Sequence, residues 1–444
     1  MCGIAGEFHF GRSDHRVDPR CLGGVTDAMA SRGPDGAGVW VSVDGRVGLG
    51  HRRLAILDLT SCGAQPMVDE TGRLHIAFNG EIYNFQELRA DLQARGYNFR
   101  SGSDTEVLLY LYAEFGSSMC ERLRGMYAFA LWDDKAKGLL LARDPFGIKP
   151  LYYSETNGTF RFASQVKALL LSGVPVSTDA AGHVGFFLFG HIPEPYTLYR
   201  EIRSVPAGCT LWIDENGKRK EIRFTGPLEV LRQSEAGSNG EVRGSLRELV
   251  SDTIRHHLVA DVPVGVFLSA GIDSCTIAAL AAEVSHCPVR TFTLGFSEFR
   301  GSERDETILA ERVALQYGTQ HRTAWLSRQD FERDLDAVLA AMDQPSIDGI
   351  NTYFVSKAAA QAGLKVALSG LGGDEFFGGY STFSRVQRMR RIVGALRSPL
   401  FVSKGLRIAT ADMFRGLGKP KAAGLLEYGA TLEGAYLLDR SLYM

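Results

Sequence analysis

Short apolar runs separated by turn residues occupy roughly the first 215 residues of the chain. The run RLHIAFNGEIY (73–83) predicts a strand that leads to Asn79-Gly80, a dipeptide favoured in tight turns. Apolar positions three and four residues apart predict a helix from Asp104 to Phe115. Strands combined with separate helices in this way predict an α+β sandwich for the N-terminal half.

The pattern changes after GPLEVLRQSEAGSNGEVRGS (226–245), which lacks periodic apolar residues and predicts a linker or loop. Beyond it, strand-like runs alternate with helical patterns, the strands at 264–268, 289–296 and 364–370 and the helices at 273–283 and 305–317. This alternation predicts an α/β domain with a parallel sheet and crossover helices. Ligands of such sheets bind at the carboxyl ends of the strands. The expected domains are 2–215 and 240–444.

Composition and charge narrow the class of protein. The chain has 49 Lys and Arg against 51 Asp and Glu, so nothing indicates nucleic acid or an anionic membrane surface as a partner. Its seven cysteines are odd in number and form no CxxC pair, which favours reduced cysteines over a disulfide framework or a zinc site. No signal peptide and no apolar run of about 20 residues is present, so we expect a cytoplasmic protein without a membrane span.

The first six residues, MCGIAG, raise a chemical possibility. Removal of Met1 would leave Cys2 with both a thiol and a free α-amine whose reference pKa is about 8. One residue would then supply a nucleophile and its base. Taken alone, a cysteine at the second position is more simply a small buried side chain.

Five further segments match one family's pattern: SRGPDGAG (31–38), GHRRLAILDL (50–59), FNGEIYNF (78–85), SGSDTE (101–106) and ARDPFGIKPLYY (142–153). Together with MCGIAG they resemble the class II glutamine amidotransferase domain, an N-terminal-nucleophile hydrolase. The resemblance covers roughly the first 170 residues. It implies that Cys2 attacks the side-chain amide of glutamine, forms a thioester and releases ammonia.

The same resemblance assigns roles to other residues. Asn79 and the backbone N–H of Gly80 would form the oxyanion hole, and Glu81 and Asp104 would contact the amino group of glutamine. Arg53 would bind the α-carboxylate with its forked guanidinium. The rest of the glutamine pocket would be formed by Leu54, Ala55, Ile56 and Leu57. Each residue alone has a simpler interpretation: a turn for Asn79-Gly80, a helix N-cap for Asp104 and a surface cation for Arg53.

Two loops in the second half suggest nucleotide chemistry. FLSAGIDS (267–274) ends a predicted strand and opens a helix, so its N–H groups and the helix N-terminus favour an anion. It is not a Walker A loop, because no GxxxxGK[ST] occurs. It resembles the SGGxDS loop of N-type ATP pyrophosphatases, and ALSGLGGDEFFGGY (367–380) resembles a matching loop of asparagine synthetases. The chain as a whole therefore resembles the glutamine-hydrolysing asparagine synthetase family.

This resemblance implies an N-terminal-nucleophile hydrolase sandwich followed by an ATP-pyrophosphatase domain like that of the adenine nucleotide α-hydrolases. Mg²⁺ would be bound by Asp273 and Asp374, since carboxylate and phosphate oxygens suit this ion. The residues expected to border ATP are Leu268, Ser269, Gly271, Asp273, Ser274, Leu294, Ser369 and Gly370. The implied substrates are glutamine, ATP and a carboxylate acceptor, aspartate by default, and the products are the amide, AMP and pyrophosphate. Formation of a homodimer is left open.

The sequence departs from the family pattern at three places. Ala270 replaces the first glycine of SGGxDS, which would strain the backbone if that position needs a positive φ. Leu371 stands where asparagine synthetases have a glutamate, which leaves open another acceptor, such as a sugar uronic acid, or glutaminase activity alone. The chain stops at Met444, so we expect the second domain to be incomplete at its C-terminus. An amidophosphoribosyltransferase shares DPFGIKPL, but SAGIDS argues against it.

Overall fold

Two antiparallel sheets form the N-terminal half of the protein. The computed structural model describes residues 1–11, 15–233, 239–396 and 399–442. The strands of this half are β1 (Gly3–His9), β2 (Gly36–Val41), β3 (Val47–Arg53), β4 (Met67–Val68), β5 (Leu74–Ile82), β6 (Gly125–Asp133), β7 (Gly138–Arg143), β8 (Tyr152–Thr156), β9 (Thr159–Ala163), β10 (Arg203–Ser204), β11 (Cys209–Ile213) and β12 (Arg219–Arg223). They form two six-stranded sheets, one in the order β10-β8-β9-β1-β3-β2 and the other in the order β12-β11-β7-β6-β5-β4.

Helices cover the outer faces of both sheets. They are α1 (Pro19–Asp27), α2 (Phe85–Ala94), α3 (Asp104–Phe115) and α4 (Val166–Leu171). A further helix of this half is α5 (Ala180–Phe189). Along β6, Ala128 and Ala130 pack between the sheets, whereas Tyr127 and Phe129 pack against α3. This alternation follows from the period-two geometry of a strand, and it makes the half a four-layer helix–sheet–sheet–helix sandwich. The predicted α+β sandwich is confirmed.

The prediction of a tight turn at Asn79-Gly80 is wrong. Both residues lie inside β5, which stays paired with β6 from Leu74 opposite Asp133 to Ile82 opposite Gly125. A Cβ at position 80 would lie 2.3 Å from the carbonyl oxygen of Met126. The glycine thus permits a close approach of two strands, which is the other common reason for glycine within a strand.

A parallel sheet forms the centre of the C-terminal half, as predicted. The elements are α6 (Pro227–Gln233), α7 (Asn239–His257), β13 (Val264–Phe267), α8 (Ile272–Val284), β14 (Arg290–Phe296), α9 (Thr307–Gln316), β15 (Gln320–Leu326), α10 (Arg328–Ala341), α11 (Gly349–Gln361), β16 (Val366–Leu368), α12 (Gly373–Phe377), α13 (Ser381–Ala395), α14 (Leu400–Gly416), α15 (Leu425–Tyr428) and α16 (Leu432–Arg440). The strand order is β15-β14-β13-β16, and all pairs are parallel. After β13 the chain adds β14 and β15 on one side and then β16 on the other side, so the strand order reverses between β13 and β16. Ligands of α/β folds bind at such a point.

The region between the halves differs from the expectation. Much of the predicted linker 226–245 is helical, in α6 and the start of α7, while residues 234–238 lie outside the described residues. The expected domain end at 215 falls between β11 and β12, which pair from Cys209 opposite Arg223. We therefore propose that the first domain extends through Arg223. In the part of the chain that the structure describes, no helix has both the length and the apolar character needed to cross a membrane.

Candidate active sites

Cys2 lies at the start of β1, directly beside the end of β3. The backbone N–H of Leu54 donates to Cys2 Sγ at 3.3 Å, and Arg32 Nε donates to the Cys2 carbonyl oxygen at 3.0 Å. Burial raises the pKa of the Cys2 thiol, and the nearby carboxylates Glu81 and Asp104 raise it further. Burial also lowers the pKa of the N-terminal α-amine on Met1 to about 6. A neutral thiol therefore lies beside a neutral terminal amine. Removal of Met1 would place that amine on Cys2 itself, as the base of its own nucleophile.

Asn79 is fully buried, and neither its Oδ1 nor its Nδ2 has a hydrogen-bond partner among the described residues. On either side of it along β5, Phe78 N–H donates to Gln65 Oε1 at 2.7 Å and Ile82 N–H to Asp104 Oδ2 at 2.9 Å. Hydrogen-bonding directions alternate along a strand, so the N–H of Gly80 faces the same edge, between these two contacts. An unpaired buried amide is costly unless a ligand completes it. The edge of β5 thus offers two donors to an incoming oxygen.

His51 ties the two sheets together next to this edge. It is completely buried, and its Nε2 lies 3.0 Å from the carbonyl oxygen of Phe78. Because a carbonyl oxygen only accepts, Nε2 carries the proton. Burial lowers the pKa of His51 to about 3 from an ordinary 6.5. The neutral ring thereby connects β3, which ends beside Cys2, to the residue that precedes Asn79.

His51 should make stability depend on pH. Its pKa is depressed in the folded protein, so its contribution is present above pH 6.5 and is lost as the pH falls toward 3, since the unfolded chain binds the proton first. Between pH 7 and pH 5 this amounts to about 2 kcal/mol. We expect His51→Gln, whose amide can still donate to Phe78, to flatten the pH dependence of the urea midpoint in this window. The exposed His286→Gln variant is the control, and equal slopes in all three proteins would contradict the assignment.

Arg53 organises the loop that follows β3. Its guanidinium donates to the carbonyl oxygens of Thr60 at 2.8 Å, Leu57 at 3.3 Å and Asp58. The sequence led us to expect contact with the α-carboxylate of glutamine. A guanidinium has five N–H donors, so three bonded carbonyls leave capacity for a ligand. The remaining predicted pocket residues, Leu54, Ala55, Ile56 and Leu57, lie on this same loop.

Glu81 and Asp104 lie close enough near the edge of β5 for the charge of Asp104 to act on Glu81. Burial, followed by the neighbouring charge of Asp104, raises the pKa of Glu81 well above its usual range. Burial raises the pKa of Asp104 to about 6, against the effect of the hydrogen bond from Ile82 N–H. A positive amino group placed between them would relieve both effects. This is the electrostatic environment that the predicted contact with the glutamine amino group requires.

Lys149 belongs to the same cluster, although its sequence motif did not predict a role for it. It is 5% exposed, and burial lowers its pKa while Glu81 and Cys2 oppose that shift. Its backbone N–H donates to Asp144 Oδ2 at 3.0 Å, which fixes the turn of ARDPFGIKPLYY. The sequence signal that could have identified it is a lysine within the largely apolar motif ARDPFGIKPLYY. Lysine, two carboxyl groups and a thiol therefore share one buried site.

The oxyanion assignment gives a specific prediction. Asn79→Ala removes one of the two donors and should lower kcat for glutamine hydrolysis by about 10²- to 10³-fold, with a smaller change in KM. Glutamate release at saturating glutamine measures it. Asn84→Ala is the matched control, because Asn84 bonds Arg122 and Arg124 instead of the edge of β5. A loss confined to KM would contradict the role of Asn79.

The loop after β13 forms a compact turn closed by serines. Ser274 Oγ accepts from Ser269 N–H at 3.1 Å, and Ser269 Oγ accepts from Gly271 N–H at 3.2 Å. The first helical bond of α8 runs from Cys275 N–H to the Gly271 carbonyl, so the N–H groups of the preceding turn have no intrahelical acceptor. Ala270 does not have a positive φ. Replacing the first glycine of SGGxDS with alanine therefore causes no backbone strain of that kind. The turn is open to an anion.

The second loop meets the first one closely. Ser369 and Gly370 follow β16, which lies next to β13 in the sheet. A Cβ at Gly373 would lie 2.2 Å from Asp273 Oδ2, and one at Gly370 would lie 2.9 Å from Asp273 Cβ. These two glycines therefore let the SGLGGDE backbone approach the Asp273 carboxylate. Asp374 follows Gly373 directly, which brings both predicted metal-binding residues to one edge of the sheet.

The residues present fit ATP with Mg²⁺. Leu268 is buried directly after β13, and Leu294 lies in the neighbouring β14. The free N–H groups of α8 suit phosphate oxygens. Among the described residues no group of three or more His, Cys, Asp or Glu could hold a metal, so a cation here would need phosphate oxygens to complete its shell.

Comparisons with known proteins divide the chain into two matched domains. Residues 1–224 match the family described as glutamine amidotransferase domain, and residues 245–434 match the family described as asparagine synthase. Asparagine synthetase [glutamine-hydrolyzing] 1 of Bacillus subtilis is 34% identical over 100% of this chain and 68% of its own length. A putative asparagine synthetase [glutamine-hydrolyzing] of Mycobacterium bovis is 35% identical over 84% of this chain and 60% of its own. The chain thus spans about two thirds of the length of these relatives.

A solved structure of a phosphoribosylpyrophosphate amidotransferase from B. subtilis, complexed with ADP and GMP, aligns over 83% of this chain and 90% of its own. Its sequence identity is 18% and its TM-score 0.41, values too low to carry weight. The two family matches and the similarity to the Bacillus enzyme decide the assignment. The chain belongs to the glutamine-hydrolysing asparagine synthetase family, an enzyme family of the ligase class.

Proposed function

We propose that the protein amidates a carboxylate acceptor, aspartate by default, with ammonia from glutamine and energy from ATP. The observation that supports this most is the pairing in one chain of two different sites. One is the buried edge at Cys2 and Asn79, and the other is the pair of loops after β13 and β16. A glutaminase alone would not need the two loops, and an ATP-dependent synthetase alone would not need the site at Cys2 and Asn79.

In the first half, once Met1 has been removed, the Cys2 thiol attacks the amide carbon of glutamine, and the α-amine of Cys2 takes the thiol proton. Asn79 and the N–H of Gly80 donate to the developing oxyanion. Ammonia leaves, and water cleaves the thioester to glutamate. Arg53, Glu81 and Asp104 hold the substrate's carboxylate and amino groups.

In the second half, the acceptor carboxylate attacks the α-phosphorus of ATP and pyrophosphate leaves. The N–H groups at the start of α8, with Ser269 and Ser274, bind phosphate oxygens, and Asp273 and Asp374 would hold Mg²⁺, which neutralises phosphate charge. Ammonia then attacks the acyl adenylate and AMP leaves. The amide, AMP and pyrophosphate are the products.

Transfer of ammonia between the sites requires that they lie close together, and the two halves meet beside Cys2. Arg32, which bonds the Cys2 carbonyl, lies close enough to Asp343 for the charge of each to shift the pKa of the other. Asp343 in turn accepts Val166 N–H at 2.8 Å, and Gln344 accepts Leu198 N–H at 3.2 Å. The segment 343–344 of the second half therefore packs on the first half next to the ammonia source.

The test is a combined assay of pyrophosphate and glutamate release from ATP and glutamine, with and without aspartate. Pyrophosphate that depends on aspartate, with at least equimolar glutamate, is the expected result. Glutamate without pyrophosphate under any acceptor would reduce the function to glutamine hydrolysis. Absence of both would overturn the proposal.

Leu371 favours a second candidate, amidation of a different carboxylate. The residue is 87% exposed at the turn into α12. The family pattern that the sequence resembles has a glutamate at this position. An apolar residue cannot transfer a proton during ammonia attack. In the same assay, pyrophosphate that depends on a uronic acid and not on aspartate would select this candidate.

A further inference from the structure

The loop that carries the glutamine pocket, residues 54–58, is bonded to the C-terminal half. Asp261 accepts the N–H of Asp58 on its Oδ2 at 2.7 Å and donates its own N–H to the carbonyl oxygen of Ile56 at 2.9 Å. These two bonds flank Leu57, one of the predicted pocket residues. A residue of one half thus fixes two backbone groups in the binding loop of the other.

A second contact holds the beginning of the same loop. Lys365 Nζ lies 2.8 Å from Asp35 Oδ2, and that oxygen also accepts the N–H of Ala55 at 2.9 Å. The neighbouring N–H, from Leu54, donates to Cys2 Sγ. The loop therefore connects the nucleophile directly to groups supported by the C-terminal half.

The conformation of the loop needs such support. Asp58 has a φ of 51°, in the left-handed region that a non-glycine residue seldom adopts. Positions of this kind cost on the order of 1 to 3 kcal/mol and persist only when the surroundings hold them. Arg53 and Gly102 bond Asp58 from within its own half, and Asp261 supplies the bond to its N–H.

Asp261 and Lys365 occupy equivalent places in the parallel sheet. Asp261 precedes β13 by three positions, and Lys365 immediately precedes β16. The opposite ends of these strands lead into the SAGIDS and SGLGGDE loops. Each strand is four residues or fewer, about 13 Å at most. The glutamine loop is thus held by the two strands that carry the nucleotide loops.

We propose that Asp261 is a positioning residue for glutamine hydrolysis: the synthetase half holds the glutamine-binding loop in its competent conformation through Asp261, with Lys365 as a weaker second support. The inference rests on the proposed function, since it needs a glutaminase in the first half. Asp261 acts through the backbone of the loop and does not touch the substrate.

The test compares Asp261→Ala with Asp261→Asn. Alanine removes the acceptor for Asp58 N–H and should raise KM for glutamine about tenfold, with kcat changed less, since one net hydrogen bond corresponds to about that factor. Asparagine keeps an acceptor oxygen and should recover most of the loss. Ammonia-dependent synthesis by the full chain should separate an effect on glutamine binding from an effect on the synthetase.

Asp252→Ala is the matched control, because Asp252 also bridges the halves, through Arg124 at 3.9 Å, without contacting the loop. Lys365→Met should also raise KM for glutamine, by a smaller factor. It provides the test if Asp261→Ala fails to fold. An unchanged KM in a folded Asp261→Ala or Lys365→Met, or an equal rise in Asp252→Ala, would overturn the inference. A wild-type protein that releases no glutamate would overturn the proposed function, and this inference with it.

Discussion

Replacing Cys2 with alanine should abolish glutamate release, by about 10³-fold or more, because removal of a nucleophile leaves only binding and oxyanion contributions. Synthesis with ammonium salts as the nitrogen source should continue, because the loops after β13 and β16 do not contain Cys2. Glutamate release and pyrophosphate release, measured with glutamine and then with ammonium, give both answers from one preparation.

A matched control for this variant is Cys21→Ala, since Cys21 is a free and exposed cysteine of the same half. It should leave both nitrogen sources usable. If Cys2→Ala retained full glutaminase activity, the nucleophile would have to be sought elsewhere. If Cys2→Ala lost ammonia-dependent synthesis as well as glutamate release, Cys2 would also be needed for the folded interface between the two halves.

Replacing Asp273 with asparagine should have the opposite effect. Pyrophosphate release should fall about 10²- to 10³-fold, because a cation on transferring phosphates contributes several kcal/mol. Glutamate release should persist, since Asp273 lies on α8 in the other half. If some pyrophosphate release remains, its rate should depend less strongly on the Mg²⁺ concentration than the rate of the wild type does.

Asp336→Asn serves as the control, because Asp336 is an exposed carboxylate on α10 outside both loops. Equal pyrophosphate release by Asp273→Asn and the wild type would remove Asp273 from the proposed metal site. Loss of glutamate release in the same variant would show instead that the substitution disturbs the whole chain.

The sequence identified regular elements and chemistry more reliably than the local conformation of the site. The helix 104–115 was predicted to the residue, because its apolar spacing is long and regular. Asn79-Gly80 was predicted as a turn because local preference favours one, but pairing with the full length of β6 outweighed that preference. The same pair had been assigned to the oxyanion hole, and its place at a strand edge suits that role.

Other features depend on contacts between residues far apart in sequence. Asp261 bonds Asp58 across 203 positions, and nothing near DVPVG in the sequence indicates that contact. Lys149 was visible only as a charge within an apolar motif. Arg53 was assigned a ligand, yet its bonds to three loop carbonyls could be found only from the folded chain. The spacing of motifs predicts the chemistry of a site, whereas the contacts that hold its residues in place become visible only in the folded chain.

The unpaired amide of Asn79 has a consequence for how such a protein evolves. A fully buried polar side chain without a partner weakens the folded state of the free enzyme, and an apolar residue of similar size would remove that penalty. Selection for heat resistance alone would therefore tend to replace Asn79 and leave a more stable protein that lacks one of the two proposed oxyanion donors. Under the proposed function, asparagine at this position lowers stability in exchange for turnover.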